Sequence, residues 1–224
     1  MRFRAYPDRE ALFLDLAALL AEELTAALEH EPRATFAVPG GTTPGPIFDA
    51  LTEVDLDWAR VDILPTDERW VPEDSERSNM RLLRERLLVG RAAKARLLPL
   101  YAPTLEPEQA VDALAATIAP ALPIDVLLLG MGADMHTASL FPGADRLREA
   151  LDEDAPILMP MRAPGAPEPR VTLTARVLQG AMTTHLLITG PEKRAALDEA
   201  VRLGMPAVAP VAAVLANATV HWAE

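Results

Sequence analysis

Over residues 8–29 apolar side chains recur at helical spacing, at Leu12, Leu16, Leu19, Leu20, Leu24 and Leu28, with acids between them. That period predicts an amphipathic helix, which Pro32 stops. The pattern then changes to short apolar runs. ATFAV (34–38) predicts a buried strand closed by Pro39-Gly40-Gly41, and Pro44 sits where a helix through PIFDAL begins. VDILPTDE (61–68) predicts a second strand running into a polar corner. Ser78 or Asn79 then caps a helix through NMRLLRERLL. EPEQAVDALAATIAPAL (106–122) predicts a third helix, and IDVLLLG (124–130) a strand apolar on both faces, as in a covered parallel sheet. Beyond Phe141-Pro142-Gly143, APILMP and RVTLT (170–174) predict strands around a Pro-rich loop. THLLITG (184–190) predicts another strand, followed by a helix through EKRAALDEAVRL, and the last fifteen residues predict a helix and the short strand ATVHWAE.

Strands and helices alternate, with no internal repeat and no linker. The expected fold class is α/β, a three-layer αβα sandwich on a mainly parallel, Rossmann-like sheet, with residues 1–224 as one domain. In such sheets ligands bind beyond the carboxyl ends of the strands. The polar clusters PGGTTP, TDER, GMGADMH and GPEK each follow an apolar strand, so they are expected to converge on one edge of the sheet.

Composition narrows what that edge can do. The chain has 224 residues, 50% of them apolar, and a formal charge of −12, with no basic block. Nucleic acid and anionic membranes are therefore disfavoured as partners. The absence of cysteine removes disulfides, thiolate nucleophiles and cysteine-held metals. Asp8, Glu10 and Asp15 interrupt the N-terminal region as a signal peptide, and no run reaches the ~20 apolar residues of a membrane span. A cytoplasmic location and a monomeric state are the simplest expectations.

The candidate chemistry lies in the polar clusters. VPGGTTP (38–44) offers glycines for a tight turn and hydroxyls at a helix start; it suits an anion, and read alone it is equally a plain strand-to-helix turn. It lacks the GxxxxGK[ST] phosphate-loop pattern. Asp67, Glu68 and Arg69 form a charged corner at a strand end, an arrangement that is usually just solvated. In GMGADMHTASLFPG (130–143) Asp134 and His136 lie two apart, so that an extended loop puts the carboxylate beside the imidazole, orients it and raises its basicity. A lone histidine is more often structural, but a Gly-rich loop beyond a buried strand is not core. His30, His185 and His221 lie in helix or strand patterns and read as structural or surface residues. GMGADM lacks the third glycine of a dinucleotide loop, which argues against a nicotinamide cofactor. Arg170 and Lys193, one of only two lysines, suit a phosphate dianion. No GxSxG elbow surrounds the three serines and no HxH or HExxH metal pattern occurs, so water deprotonated by a side chain is the expected nucleophile, with no metal or cofactor.

PGGTTP, DERWVPEDSERSN, GMGADMHTASLFPG, RVTLT and GPEK, in this order over residues 38–193, resemble the 6-phosphogluconolactonase family, a branch of the group that includes glucosamine-6-phosphate deaminases. The resemblance implies that Gly40, Gly41, Thr42, Thr43, Arg170 and Lys193 hold a sugar phosphate, and that Asp67, Glu68 and Arg69 line its sugar end with Asn79 supporting that corner. It implies that His136, positioned by Asp134, activates water for attack on a phosphorylated sugar lactone. Two departures stand out. Met135 occupies the usual glycine of DGHTASLFPG, and VPGGTTP replaces the commoner SGGSTP. Deaminases usually carry DEY and a further carboxylate after the histidine. Here Asp67-Glu68-Arg69 and Ser139-Leu140-Phe141 stand at those places, which favours the lactonase branch over a deaminase; Met135 is the one feature that favours the alternative of a non-catalytic sugar-phosphate-binding module.

Overall fold

A computed structural model describes residues 1–224. The chain forms β1 (Arg2–Ala5), α1 (Arg9–His30), β2 (Ala34–Val38), α2 (Gly45–Leu51), β3 (Val61–Pro65), β4 (Asp67–Arg69), α3 (Asn79–Arg86), β5 (Arg96–Leu97) and α4 (Val111–Ile118). It continues through β6 (Val126–Gly130), α5 (Leu147–Ala150), β7 (Leu158–Met161), β8 (Arg170–Leu173), α6 (Ala175–Gln179), β9 (Thr183–Thr189), α7 (Gly190–Leu203), α8 (Ala212–Leu215) and β10 (Ala218–Ala223).

Helix α1 begins where Asp8 accepts a hydrogen bond from the Ala11 amide at 2.8 Å. Its Leu12, Leu16, Leu20, Leu24 and Leu28 are buried against the sheet, each stabilising the fold by about 2 kcal/mol. The main sheet has seven strands in the order β1-β10-β9-β6-β2-β3-β5, all parallel. Its two faces are separate cores. Val126 and Leu128 of β6 pack with α1 and α2 on one face, while Leu127 and Leu129 pack with α4, α7 and α8 on the other. Burial on both faces is why β6 reads as an unbroken apolar run. The expected α/β sandwich on a mainly parallel sheet is thus observed.

The chain departs from the expected elements in three places. Strand β1 was not anticipated: all its residues are exposed on the sheet edge, so it leaves no apolar pattern. The run 61–68 is not one strand. Thr66 donates its amide to Val38 at 2.9 Å and accepts from the Leu173 amide at 3.0 Å, so the chain passes there from the main sheet into a second, antiparallel sheet, β4-β8-β7. Its strands are only three or four residues long, too short to announce that pairing. The helix expected over 106–122 shrinks to Val111–Ile118, with single tight turns at Pro107–Gln109 and Ala119–Ala121. Pro107 and Pro120 cannot donate a helical hydrogen bond.

Beginning at β2, the chain steps outward through β3 and β5, then returns to lay β6 on the other side of β2 and steps through β9 to β10. The order reverses between β2 and β6, and a crevice opens at their carboxyl ends.

The remaining histidines lie outside the crevice, one on the surface and two in the core. His30 is exposed at the end of α1, while His185 and His221 are buried on β9 and β10. Glu23 bonds His185 Nε2 at 2.8 Å, His185 Nδ1 bonds His221 Nε2 at 3.0 Å, and His221 Nδ1 bonds the Tyr6 hydroxyl at 2.8 Å. Each ring nitrogen of both histidines thus has a polar partner. Burial, with His185 and Arg4 nearby, pushes the His221 pKa down to about 3 from 6.5. An unfolded chain therefore takes up a proton below pH 6.5 that the folded chain refuses until about pH 3. Stability is lost as pH falls through that window, at about 1.4 kcal/mol per pH unit. Urea unfolding at pH 7 and pH 5 is expected to show a loss of about 2 kcal/mol from this residue, and His221→Gln is expected to remove that part of the slope.

Candidate active site

The crevice is a cleft of about 200 Å³. It is lined by the loop after β2 (Pro39, Gly40, Gly41, Thr43, Pro44), by Asp67 and Arg69 of β4, and by Asn79 at the start of α3. The loop after β6 (Gly130, Met131, Gly132, His136, Ala138), Arg170 of β8, Leu187 of β9 and Lys193 in the first turn of α7 complete it. Every one of the polar clusters that follow a strand therefore reaches one pocket.

His136 sits in the loop after β6 with its Nδ1 2.5 Å from Asp134 Oδ1. The imidazole rests on the Phe141 ring, centroids 4.3 Å apart, which fixes its plane. Nδ1 is taken by the carboxylate, so Nε2 is the ring nitrogen left to exchange protons in the cleft. A side chain at Gly132 would overlap both the His136 ring and the Asp134 carboxylate, so only glycine admits this pair. Similarly, a Cβ at Gly40 would occupy the Asn79 amide, whose Nδ2 donates to the Asp67 carbonyl at 2.9 Å.

Met135 does adopt the left-handed backbone, φ 68°. The loop holds it there by hydrogen bonds from the Met135 amide to the Gly132 carbonyl and from the Val211 amide to the Met135 carbonyl, each 3.0 Å. The side chain packs on the core beneath the sheet, which offsets part of the conformational cost. Met135→Ala loses that packing and keeps the strain, whereas Met135→Gly loses the same packing and sheds the strain. Thermal or urea unfolding is expected to place the glycine variant about 1 kcal/mol above the alanine variant.

The opposite wall is cationic. Arg69 and Arg170 face each other directly across β4 and β8, an unfavourable like-charge pairing. The Nε atoms of both arginines are buried and without partners. Burial lowers the pKa of Arg170, and the same cause lowers that of Lys193. The nearest carboxylate to Arg170, Asp67 Oδ2, stands off at 3.8 Å, and the guanidinium lies 5.6 Å from the Phe141 ring centroid. Desolvated cations lacking close counter-charges are the signature of a pocket shaped for an anion.

Three of the expected site residues lie elsewhere. Glu68 is fully buried and turned away from the cleft. It accepts from the amides of Arg69 at 2.7 Å, Asn79 at 2.8 Å and Met80 at 2.7 Å and from the Ser78 hydroxyl at 3.0 Å. It therefore caps α3 and fixes the β4–α3 corner rather than lining the sugar end; burial pushes its pKa up against those hydrogen bonds. Thr42 is exposed outside the cleft lining, and only Thr43 of the two threonines reaches it. Asp134 lies behind His136, not on the cleft wall. Sequence reasoning missed Phe141, which underlies both His136 and Arg170, and Ser139, buried against Asp67. The TASLF run carries both, but nothing in its pattern tells which side chain turns inward. No set of three or more His, Asp and Glu side chains converges in a metal-binding arrangement.

Fold and cleft together define an α/β protein whose switch-point pocket pairs an anion-seeking wall with a carboxylate-held imidazole. The sequence profile of the family described as Glucosamine-6-phosphate isomerases/6-phosphogluconolactonase matches residues 7–222. The 6-phosphogluconolactonase of Rhizobium meliloti (strain 1021) is 43% identical over 221 residues, covering 96% of this chain and 93% of that protein. That of Pseudomonas aeruginosa is 43% identical over 210 residues, covering 92% and 88%. The crystal structure of a 6-phosphogluconolactonase from Shewanella baltica OS155 superimposes with a TM-score of 0.96 at 32% identity, covering 100% of this chain and 98% of that one. A monomeric glucosamine-6-phosphate deaminase shares the fold at a TM-score of 0.83 but is only 15% identical. The chain belongs to the glucosamine-6-phosphate isomerase/6-phosphogluconolactonase family, and it is an enzyme of the lactonase type.

Proposed function

We propose that this chain hydrolyses 6-phospho-D-glucono-1,5-lactone to 6-phospho-D-gluconate, the second step of the oxidative pentose phosphate pathway, with His136 as general base. The observation that carries the reading is the meeting of His136, Arg170 and Lys193, remote in sequence, on one cleft. It is supported by relatives that bear the lactonase name at 43% identity.

Arg170, Lys193 and the turn residues Gly40, Gly41 and Thr43 hold the phosphate, the arginine as a planar donor fork and the lysine as a compact charge. Arg69, Asp67 and Asn79 meet the sugar hydroxyls. His136 Nε2 takes a proton from water, and the water oxygen bonds to the lactone carbonyl carbon. As the bond from that carbon to the ring oxygen breaks, protonated His136 returns the proton to the departing oxygen. Asp134 keeps the imidazole oriented and stabilises its charged form. A lactone is an activated ester, so acid–base help of ~10²–10⁴ supplies much of the acceleration required. The −12 charge of the chain repels an anionic substrate at long range, which leaves capture to the local cationic wall.

The test is lactone opening followed against the spontaneous rate. Turnover far above background is expected with the phosphorylated lactone and much less with the unphosphorylated one. Binding of 6-phosphogluconate without lactone turnover would instead identify a sensing module.

A further inference from the structure

The cationic wall contains a carboxylate that stands at ion-pair distance from it without closing to a hydrogen bond. Asp67 and Arg170 are both buried. A guanidinium and a carboxylate so placed normally close to hydrogen-bond contact at about 2.7–2.9 Å. Here the nearest approach is 3.8 Å and Arg170 Nε has no partner. The oxygen concerned is held from the other side. The hydroxyl of Ser139, itself fully buried, donates to Asp67 Oδ2 at 2.6 Å, and Thr66 Oγ1 approaches Oδ1 at 3.3 Å.

Ser139 is anchored in turn. Its amide donates to Thr172 Oγ1 at 3.2 Å, and that hydroxyl donates to the Leu173 carbonyl at 3.0 Å. Thr172 stands directly opposite Asp67 in the β4–β8 register. The preceding residue, Ala138, takes a left-handed backbone, φ 48°, in the turn that Thr137 and Leu140 close by a backbone bridge. The loop that carries His136 therefore ends in a hydroxyl clamped on the acid of the opposite wall.

We propose that Ser139 is a positioning residue that withholds Asp67 from Arg170, keeping the guanidinium free for the phosphate of the substrate. The proposal rests on the reading of the cleft as a sugar-phosphate site. It makes Ser139 a determinant of affinity, not of the proton transfers at His136. Without the hydroxyl, Asp67 swings onto Arg170 and competes with the ligand as an internal anion.

Inorganic phosphate is the probe, with its affinity measured by calorimetry alongside lactone kinetics. Ser139→Ala is expected to weaken phosphate binding roughly tenfold, to raise KM by a similar factor and to leave kcat within about threefold. In an Asp67→Asn background, where no ion pair can form with Arg170, the same Ser139→Ala change is expected to leave phosphate affinity unaltered. An undiminished affinity in Ser139→Ala, or an equal loss in the Asp67→Asn background, overturns the proposal. If Ser139→Ala does not fold, Ser139→Cys, a weaker donor of similar size, is expected to weaken phosphate at least threefold, and unchanged affinity there is equally fatal. A chain that binds phosphate with this Ser139 dependence but opens no lactone refutes the proposed activity alone. Failure of the unmodified chain to bind phosphate refutes both.

Discussion

His136→Gln is expected to lower kcat for the phosphorylated lactone by ~10²–10⁴ while KM stays within about threefold. The asymmetry follows from the division of the cleft. The imidazole stands on the loop after β6, held by Asp134 at 2.5 Å and by the face of Phe141, whereas the cations Arg170 and Lys193 come from β8 and α7. Glutamine keeps polarity and approximate volume but cannot accept a proton from water near neutral pH, so the loss falls on the chemical step. Asp134→Asn is expected to cost less, because the base survives and only its orientation and the stability of its protonated form suffer. Single-turnover and steady-state assays, both corrected for spontaneous opening, check this; near-normal turnover in His136→Gln would remove the imidazole from the mechanism.

The second large effect has opposite signs in two measurements. Arg170→Met is expected to raise KM about 10- to 100-fold, the worth of one or two charge-assisted hydrogen bonds, with kcat much less affected. Folding stability, by contrast, is expected to hold or to rise by about 1 kcal/mol. The guanidinium is buried with an orphaned Nε, lies directly across from Arg69, and has its charged form disfavoured by desolvation. Methionine fills much of the same volume over Phe141 without a charge to desolvate. An enzyme that gains stability by losing a binding cation shows that the cleft is strained toward its ligand. Unchanged KM, or a marked drop in the urea midpoint, would contradict that account. Lys193→Ala is expected to raise KM as well, since burial already disfavours its charge and the acid that acts on it is Glu192, in its own helical turn.

Much of this site was legible before any coordinates. The all-apolar β6 announced a central parallel strand, and the glycines and polar residues placed just beyond it announced a loop at its carboxyl end. Asp134 and His136 do pair, but through a tight turn with Met135 left-handed and not through the extended loop their spacing suggested. Met135, out of place at a left-handed position, was visible as a departure from the family pattern, and its φ of 68° shows that the chain absorbs the conformation instead of rebuilding the loop. Glu68 lies off the cleft, which its sequence does not announce, because a charged triplet at a strand end does not reveal which carboxylate points inward. Strand alternation sends Asp67 and Arg69 to one side and Glu68 to the other, under the amides of α3.

Local sequence determined what depends on short-range physics: where the helices and central strands lie, that the strands run parallel beneath helices, which loops carry the polar chemistry, and that one of those loops sets a carboxylate two residues before an imidazole. Tertiary structure alone decided what depends on pairings far apart in the chain. It set the second sheet that brings Arg69 opposite Arg170, separated by 101 positions in sequence but adjacent in register. It set the clamp of Ser139 on Asp67, |i−j| 72, and the buried chain from Glu23 through His185 and His221 to Tyr6. The reason is physical. Periodicity and turn chemistry are fixed within a few neighbouring residues, whereas a hydrogen bond or a like-charge pairing between distant strands exists only once the whole chain has chosen its strand order.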